Sequence, residues 1–174
     1  MAPTDPPSPP GEAPDLIRLR PAGRDELDAL VQLQLRARRA APMPAHAWSA
    51  DELTDQLRDG LENDQVWVAE ADDATLLGFV RFVLPDEVRV GWLDDLYVDP
   101  AGAGQGIGTL LLDLVKSSLP DGFGLWVFER NLPARAFYRA KGLVEVGTAP
   151  AEESPEGEAE VEMAWRGAAA PGTT

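Results

Sequence analysis

The sequence predicts an α/β (α+β) fold: a mixed, mostly antiparallel sheet of six to seven strands, with helices on both faces and a central parallel strand pair. Two observations carry this expectation. Residues 66–70, 76–84 and 88–98 alternate or run apolar between the Asp72-Asp73 and Pro85-Asp86 turns, the pattern of three strands in an antiparallel meander. Residues 93–128 then read strand, glycine-rich turn, apolar helix, strand. A crossover through a helix returns the chain parallel to the strand it left.

The remaining elements follow in order. Residues 16–20 alternate up to Pro21, as a first strand would. Over 24–39, Leu27, Leu30, Val31 and Leu35 mark one face of a helix, which Pro42 and Pro44 stop. Ser49 and Glu52 form a capping box for a second helix, which carries Leu53 and Leu57 and is expected to end at Gly60. Beyond the meander, Ile107, Leu110, Leu111, Leu114 and Val115 make a helix buried against the sheet, closed by Pro120-Asp121-Gly122. Residues 125–128 form the strand parallel to the one ending at Val98. Asn131 and Pro133 open a last helix and Gly142 closes it. Residues 143–146 and 159–165 complete the sheet around an acidic loop at 152–158. The expected organisation is a disordered tail over 1–14, rich in Pro and Ala, one domain over 15–166 and a loose tail over 167–174.

Composition narrows the chemistry. The 174 residues suffice for one domain with its own core. There is no cysteine, hence no disulfide, thiol nucleophile or cysteine-ligated metal, and His46 is the single histidine, so no metal site is expected. No apolar run approaches the ~20 residues of a membrane span, and the first residues lack the pattern of a signal peptide, so a cytoplasmic protein without a membrane partner is expected. A net charge of −15 argues against nucleic acid, whose phosphates require a basic footprint. It suits a cationic substrate, or serves solubility alone.

The stretch 93–112 reads as a strand stopping at Pro100, glycines at 102, 104, 106 and 108, and a helix start. Glycine lets the backbone turn at positive φ and come close to a ligand, and the first turn of a helix offers unpaired N–H groups to an anion. The glycines fit neither G-x-G-x-x-G nor the P-loop pattern. Val98-x-Pro100 followed by Gly104-Gln105-Gly106-Ile107-Gly108 resembles the acetyl-CoA pyrophosphate loop of the GNAT superfamily of N-acetyltransferases. The run Asn131-Leu132-Pro133-Ala134-Arg135-Ala136-Phe137-Tyr138, continuing to Gly142-Leu143, resembles the second motif of that superfamily. The chain departs from the family pattern at Ala103, where the loop usually opens with Arg or Gln; the backbone amides are then left to hold the pyrophosphate.

The resemblance implies a GNAT-like fold and an acetyl-CoA-dependent N-acetyltransferase that moves an acetyl group to a primary amine of a small molecule or peptide, by direct attack in a ternary complex. A catalytically silent acyl-CoA-binding or regulatory module is the alternative. Acetyl transfer to an amine needs help with deprotonation, because an ammonium of pKa about 10.4 costs roughly 4 kcal/mol to present as free amine at pH 7. The resemblance makes Asp94 the base, ahead of Asp95; both could instead bind a cationic substrate or pair with arginines. Simple alternation places Trp92, Asp94, Leu96 and Val98 on one strand face and Leu93, Asp95 and Tyr97 on the other. Glu129 is a third acidic candidate, suited to positioning the amine. Tyr138 matches the family tyrosine that hydrogen-bonds the cofactor sulfur and protonates the departing thiolate. The expected cofactor-binding residues are Leu96, Tyr97, Val98, Ala103, Gly104, Gln105, Gly106, Ile107, Gly108, Thr109, Asn131 and Tyr138. Arg135, Arg139 and Lys141 are candidates for the adenosine phosphates, or solvated helix charges. Met43, His46 and Trp48 lie in the segment between the first two helices, where the resemblance implies substrate-facing residues; the preferred reading has Met43 and Trp48 packing that segment down and His46 exposed. The resemblance allows a homodimer through the last strands, a pairing common in such folds that the sequence pattern does not itself decide.

Overall fold

The computed structural model describes residues 16–45 and 47–168, so the tail expected over 1–14, residues 169–174 and His46 lie outside the described residues. Seven strands form one sheet: β1 (Arg18–Pro21), β2 (Gln65–Glu70), β3 (Leu76–Val83), β4 (Trp92–Val98), β5 (Phe123–Phe128), β6 (Val144–Ala149) and β7 (Glu160–Trp165), in the order β1-β2-β3-β4-β5-β7-β6. Every neighbouring pair is antiparallel except β4 and β5, which are parallel as the crossover requires.

Among the described residues four α-helices pack on this sheet: α1 (Leu27–Ala40), α2 (Ala50–Asn63), α3 (Ile107–Ser118) and α4 (Leu132–Ala140). Two apolar layers result. Leu30, Leu33, Leu53 and Leu57 of α1 and α2 pack with Val68 and Phe79 on one face. Ile107, Leu111, Leu112 and Val115 of α3 and Tyr138 of α4 pack with Val80, Phe82, Leu125, Val127, Val161 and Met163 on the other. Burying a large apolar side chain stabilises the fold by roughly 1.5–3 kcal/mol, so these two stripes fix which face each helix takes.

Three expectations are corrected. Helix α2 runs through Gly60 to Asn63, because Gly60 is a packing position: a Cβ there would lie 2.6 Å from Cδ of Arg81. Strand β4 begins at Trp92, since residues 88–91 belong to a turn in which the Asp86 carboxylate accepts from the amides of Val88 and Arg89 at 2.8 and 2.7 Å. Alternation in β4 is broken by a bulge. Arg81 faces Asp95 while Phe82 faces Leu93, so Asp94 is an extra residue without a partner of its own. Leu93, Leu96 and Val98 therefore all join the α3 layer, and Tyr97 joins the α1 layer.

Candidate active site

Strands β4 and β5 share a single register pair, Trp92 with Gly124, and separate beyond it. A cavity of about 860 Å³ occupies the opening. It is bordered by Asp94 to Val98 of β4, by Leu125 to Phe128 of β5, by the loop leading into α3 and by Asn131, Ala134, Phe137 and Tyr138 at the start of and along α4.

The loop into α3 is anchored at its base. Asp99, 6% exposed, accepts from the Ala101 amide at 2.9 Å and pairs with Arg36 of α1 at 2.6 Å. Pro100–Gly102 forms one 3-10 turn, and Gly104 and Gly106 then take φ of +77° and +75°, with Gly106 as the N-cap of α3. Among the described residues, the main-chain amides of Gly104, Gly106, Ile107, Gly108 and Thr109 donate to no protein acceptor. A Cβ added at Gly104 or Gly106 would meet nothing within 4 Å. Five free donors at the positive end of a helix dipole, around space that only glycine leaves open, fit a diphosphate. Ala103 borders this space, whereas Gln105 folds back, its Nε2 donating to the Ala101 carbonyl at 3.1 Å, and does not line the cavity.

The bulge brings both β4 carboxylates to the cavity. Asp95 is half-buried and accepts from Nε of Arg81 at 2.6 Å, while the same guanidinium reaches Asp64 at 3.2 Å. Burial disfavours the charge on Arg81, but Asp95, Asp94 and Asp64 together keep it firmly protonated. Asp94 sits on the open rim, its carboxylate making no hydrogen bond or ion pair among the described residues. Its carboxyl is raised above the ordinary carboxylate range by loss of hydration; Arg81 opposes that shift, and Asp95 and Asp64 add to it. Glu129, by contrast, is exposed in the turn after β5 and does not border the cavity.

Tyr138 is 9% exposed and lines the cavity from α4, edge-on to Phe137 with ring centroids 5.3 Å apart. Burial pushes its phenol well above the ordinary value, with the field of Tyr97 and Asp95 adding, so the hydroxyl stays protonated. Asn131 lines the same wall and caps α4, its Oδ1 accepting from the Ala134 amide at 3.3 Å. Arg135 and Arg139 are engaged elsewhere: both donate to Glu145 of β6, at 2.9 and 2.7 Å. Lys141 stands 5.9 Å from the Phe137 ring centroid. None of these three cations borders the cavity.

Several lining residues escaped the sequence reading. Arg38 of α1, 8% exposed, donates to the Tyr97 hydroxyl at 3.3 Å and to the Pro44 carbonyl at 3.2 Å, lies over the Phe128 ring and approaches Glu156 at 3.5 Å. The signal was available: Leu30, Gln34 and Arg38 repeat every fourth residue, so two polar residues continue a buried stripe. Tyr97 itself is pushed up to about 12, chiefly by burial. The acidic loop contributes Pro155 and Glu156, and β7 contributes Glu160, whose carboxyl is raised by burial and by Glu156. Met43 and Trp48, in the segment where the resemblance implies substrate-facing residues, border the cavity. No helix among the described residues is long and apolar enough to cross a membrane.

Residues 27–143 match the sequence model of the acetyltransferase (GNAT) family. A peptidyl-lysine N-acetyltransferase, YiaC of Escherichia coli (strain K12), is 34% identical over 139 residues, covering 78% of this chain and 89% of the relative. The solution structure of apo YjaB from Escherichia coli superposes with a TM-score of 0.68 at 25% identity, over 88% of this chain and 99% of that one. The ribosomal-protein-S18-alanine N-acetyltransferase from Escherichia coli shares the fold, with a TM-score of 0.70 at 19% identity over 91% of this chain and 99% of that one.

Proposed function

The chain belongs to the acetyltransferase (GNAT) family, and on that premise we propose that it transfers an acetyl group from acetyl-CoA to a primary amine, by direct attack with both substrates bound. The acceptor we favour is a lysine side chain in a peptide, the kind of amine named for the YiaC relative. One observation carries the reading: five unpaired amides at the head of α3 open into the same cavity as Asp94 and Tyr138.

In this reading the amides of Gly104 and of 106–109 hold the diphosphate, and the main chain of Leu96, Tyr97 and Val98 pairs with the pantetheine arm as an added strand would. Asn131 borders the same arm. Bound acetyl-CoA supplies an acetyl thioester. A main-chain amide of the β4 edge holds the thioester carbonyl oxygen as it gains charge. Asp94, directly or through water, takes the proton of the incoming ammonium; its raised carboxyl narrows the gap to the amine. Asp95, held by Arg81, adds negative field that favours a cation at the rim. Tyr138 donates its hydrogen bond to the departing sulfur. Because a thiol has a pKa near 8.5 and burial moves the phenol far above that, Tyr138 steadies the thiolate by sharing its proton more than by surrendering it.

The test is release of free CoA against a panel of lysine peptides, peptide N-termini, polyamines, aminoglycosides and amino acids. Turnover should concentrate on amines, with Tyr138→Phe and Asp94→Asn each lowering kcat by about 10²–10⁴-fold while acetyl-CoA binding persists by calorimetry. A flat response over the panel with intact binding would instead identify a silent acyl-CoA-binding module, the reading that Ala103 favours through its missing side-chain donor.

A further inference from the structure

Helices α1 and α2 cover the β2–β4 part of one sheet face, and α3 and α4 cover the opposite face. Among the described residues this leaves the α1 side of β5, β7 and β6 open beyond Phe128, which is 6% exposed beneath Arg38 of α1. Side-chain alternation makes the asymmetry visible. Leu125, Val127, Val161 and Met163 point towards α3 and α4 and are at most 6% exposed. On the other side, Trp126 is 43% exposed and faces Glu162 across the ladder, Phe128 faces Glu160, and Val144 and Val146 at the edge are 44% and 43% exposed.

This face is apolar and acidic together. The three strands contain no lysine or arginine. Their third carboxylate, Glu145, is turned to Arg135 and Arg139 on α4, whereas Glu160 and Glu162 have no ion pair among the described residues. The face also runs into the cavity, because Trp126 and Glu160 line both. An occupant must bring apolar groups and positive charge. A second copy would bring matching apolar groups through this face but no cation from these strands, and would set two chains of net charge −15 together.

We propose that the open face of β5, β7 and β6 is a docking surface for an extended, arginine- or lysine-rich polypeptide segment next to the acceptor amine. Its apolar side chains lie on Trp126, Val144 and Val146, and its cations over Glu160 and Glu162. The proposal rests on the amine-acetyltransferase reading and extends it from the reacting amine to the sequence around it.

The test uses two fluorescein-labelled peptides with one central lysine, flanked by arginines in one and by serines in the other, and the small acceptor N-acetyl-lysine amide. Anisotropy titrations at about 150 mM salt should show the arginine-flanked peptide binding the wild-type protein at least about tenfold more tightly than the serine-flanked one. Glu162→Lys combined with Val146→Lys, neither residue lining the cavity, should erase that preference and leave turnover of the small amide within about twofold of wild type. Glu162→Gln alone, a milder change, should reduce the preference without touching the melting temperature. Equal affinity of the two peptides for wild type, or a preference unchanged in both variants, overturns the proposal. So does sedimentation showing a wild-type dimer that the double variant dissociates, since a second copy would then own the face. Absence of turnover with every acceptor overturns the acetyl-transfer reading alone, because the titrations decide the docking surface independently.

Discussion

Arg81 controls how two adjacent carboxylates behave. Among the described residues it is the one cation that holds the Asp94 carboxyl down against lost hydration, Asp95 and Asp64. If Asp94 is the base, the acid limb of kcat/KM lies above the ordinary carboxylate value of about 4. Arg81→Gln removes the opposing charge and should move that limb to still higher pH, whereas Asp94→Asn should abolish it; a pH series on the three proteins checks this. The stability signature has the matching sign. A carboxyl raised by folding stabilises the native state below its unfolded pKa, so wild type should lose stability relative to Asp94→Asn as pH rises from about 4 through the raised value. Gly106 offers a second residue test. At φ +75° an alanine costs about 1 kcal/mol in backbone strain, and its methyl meets no protein atom within 4 Å. Gly106→Ala should therefore lower the melting temperature slightly while raising KM for acetyl-CoA several-fold, a split that calorimetry and initial rates resolve.

The elements that carry local signatures were legible before the structure. The Ser49 and Glu52 capping box does start α2, with the Ser49 amide donating to Glu52 at 2.8 Å, and the glycine loop and the start of α3 at Ile107 fall where their residues put them, although β4 starts only at Trp92. What was illegible depends on partners distant in sequence. Nothing in the local run of β4 reveals that Arg81 will pair with Asp95 and Phe82 with Leu93; that mismatch creates the bulge and turns Asp94 and Asp95 towards one cavity. Likewise Glu156 reads as one more acidic loop residue until Arg38 approaches it from α1. Gly60 reads as a helix stop until Arg81 fills the place of its side chain. This last contact is testable. Gly60→Ala gains up to about 1 kcal/mol of helix propensity but pushes on Arg81, so unfolding in urea should change little. The acid limb of kcat/KM should nevertheless shift in the direction of Arg81→Gln.

At the scale of the molecule, the charge of −15 acts with opposite sign on the two substrates. Acetyl-CoA is anionic and is repelled at long range; a cationic acceptor is drawn in. Between about 10 mM and 150 mM salt the screening length falls from roughly 30 Å to 8 Å. KM for acetyl-CoA should fall over that interval and KM for a cationic peptide should rise, a divergence that initial rates at fixed pH would reveal. A common direction for both would mean that local contacts outweigh the overall field. The single Trp92–Gly124 rung between β4 and β5 has a mechanical consequence as well. Past that rung the two arms of the sheet are kept in step by packing through α3 and α4 and by Arg38 of α1, which reaches Tyr97 of β4 and lies over Phe128 of β5. A molecule bonded to the inner edge of β4 and wedged against β5 would act as a splint across the hinge. Hydrogen exchange at 96–98 should then slow on loading, and the two arms should melt as one.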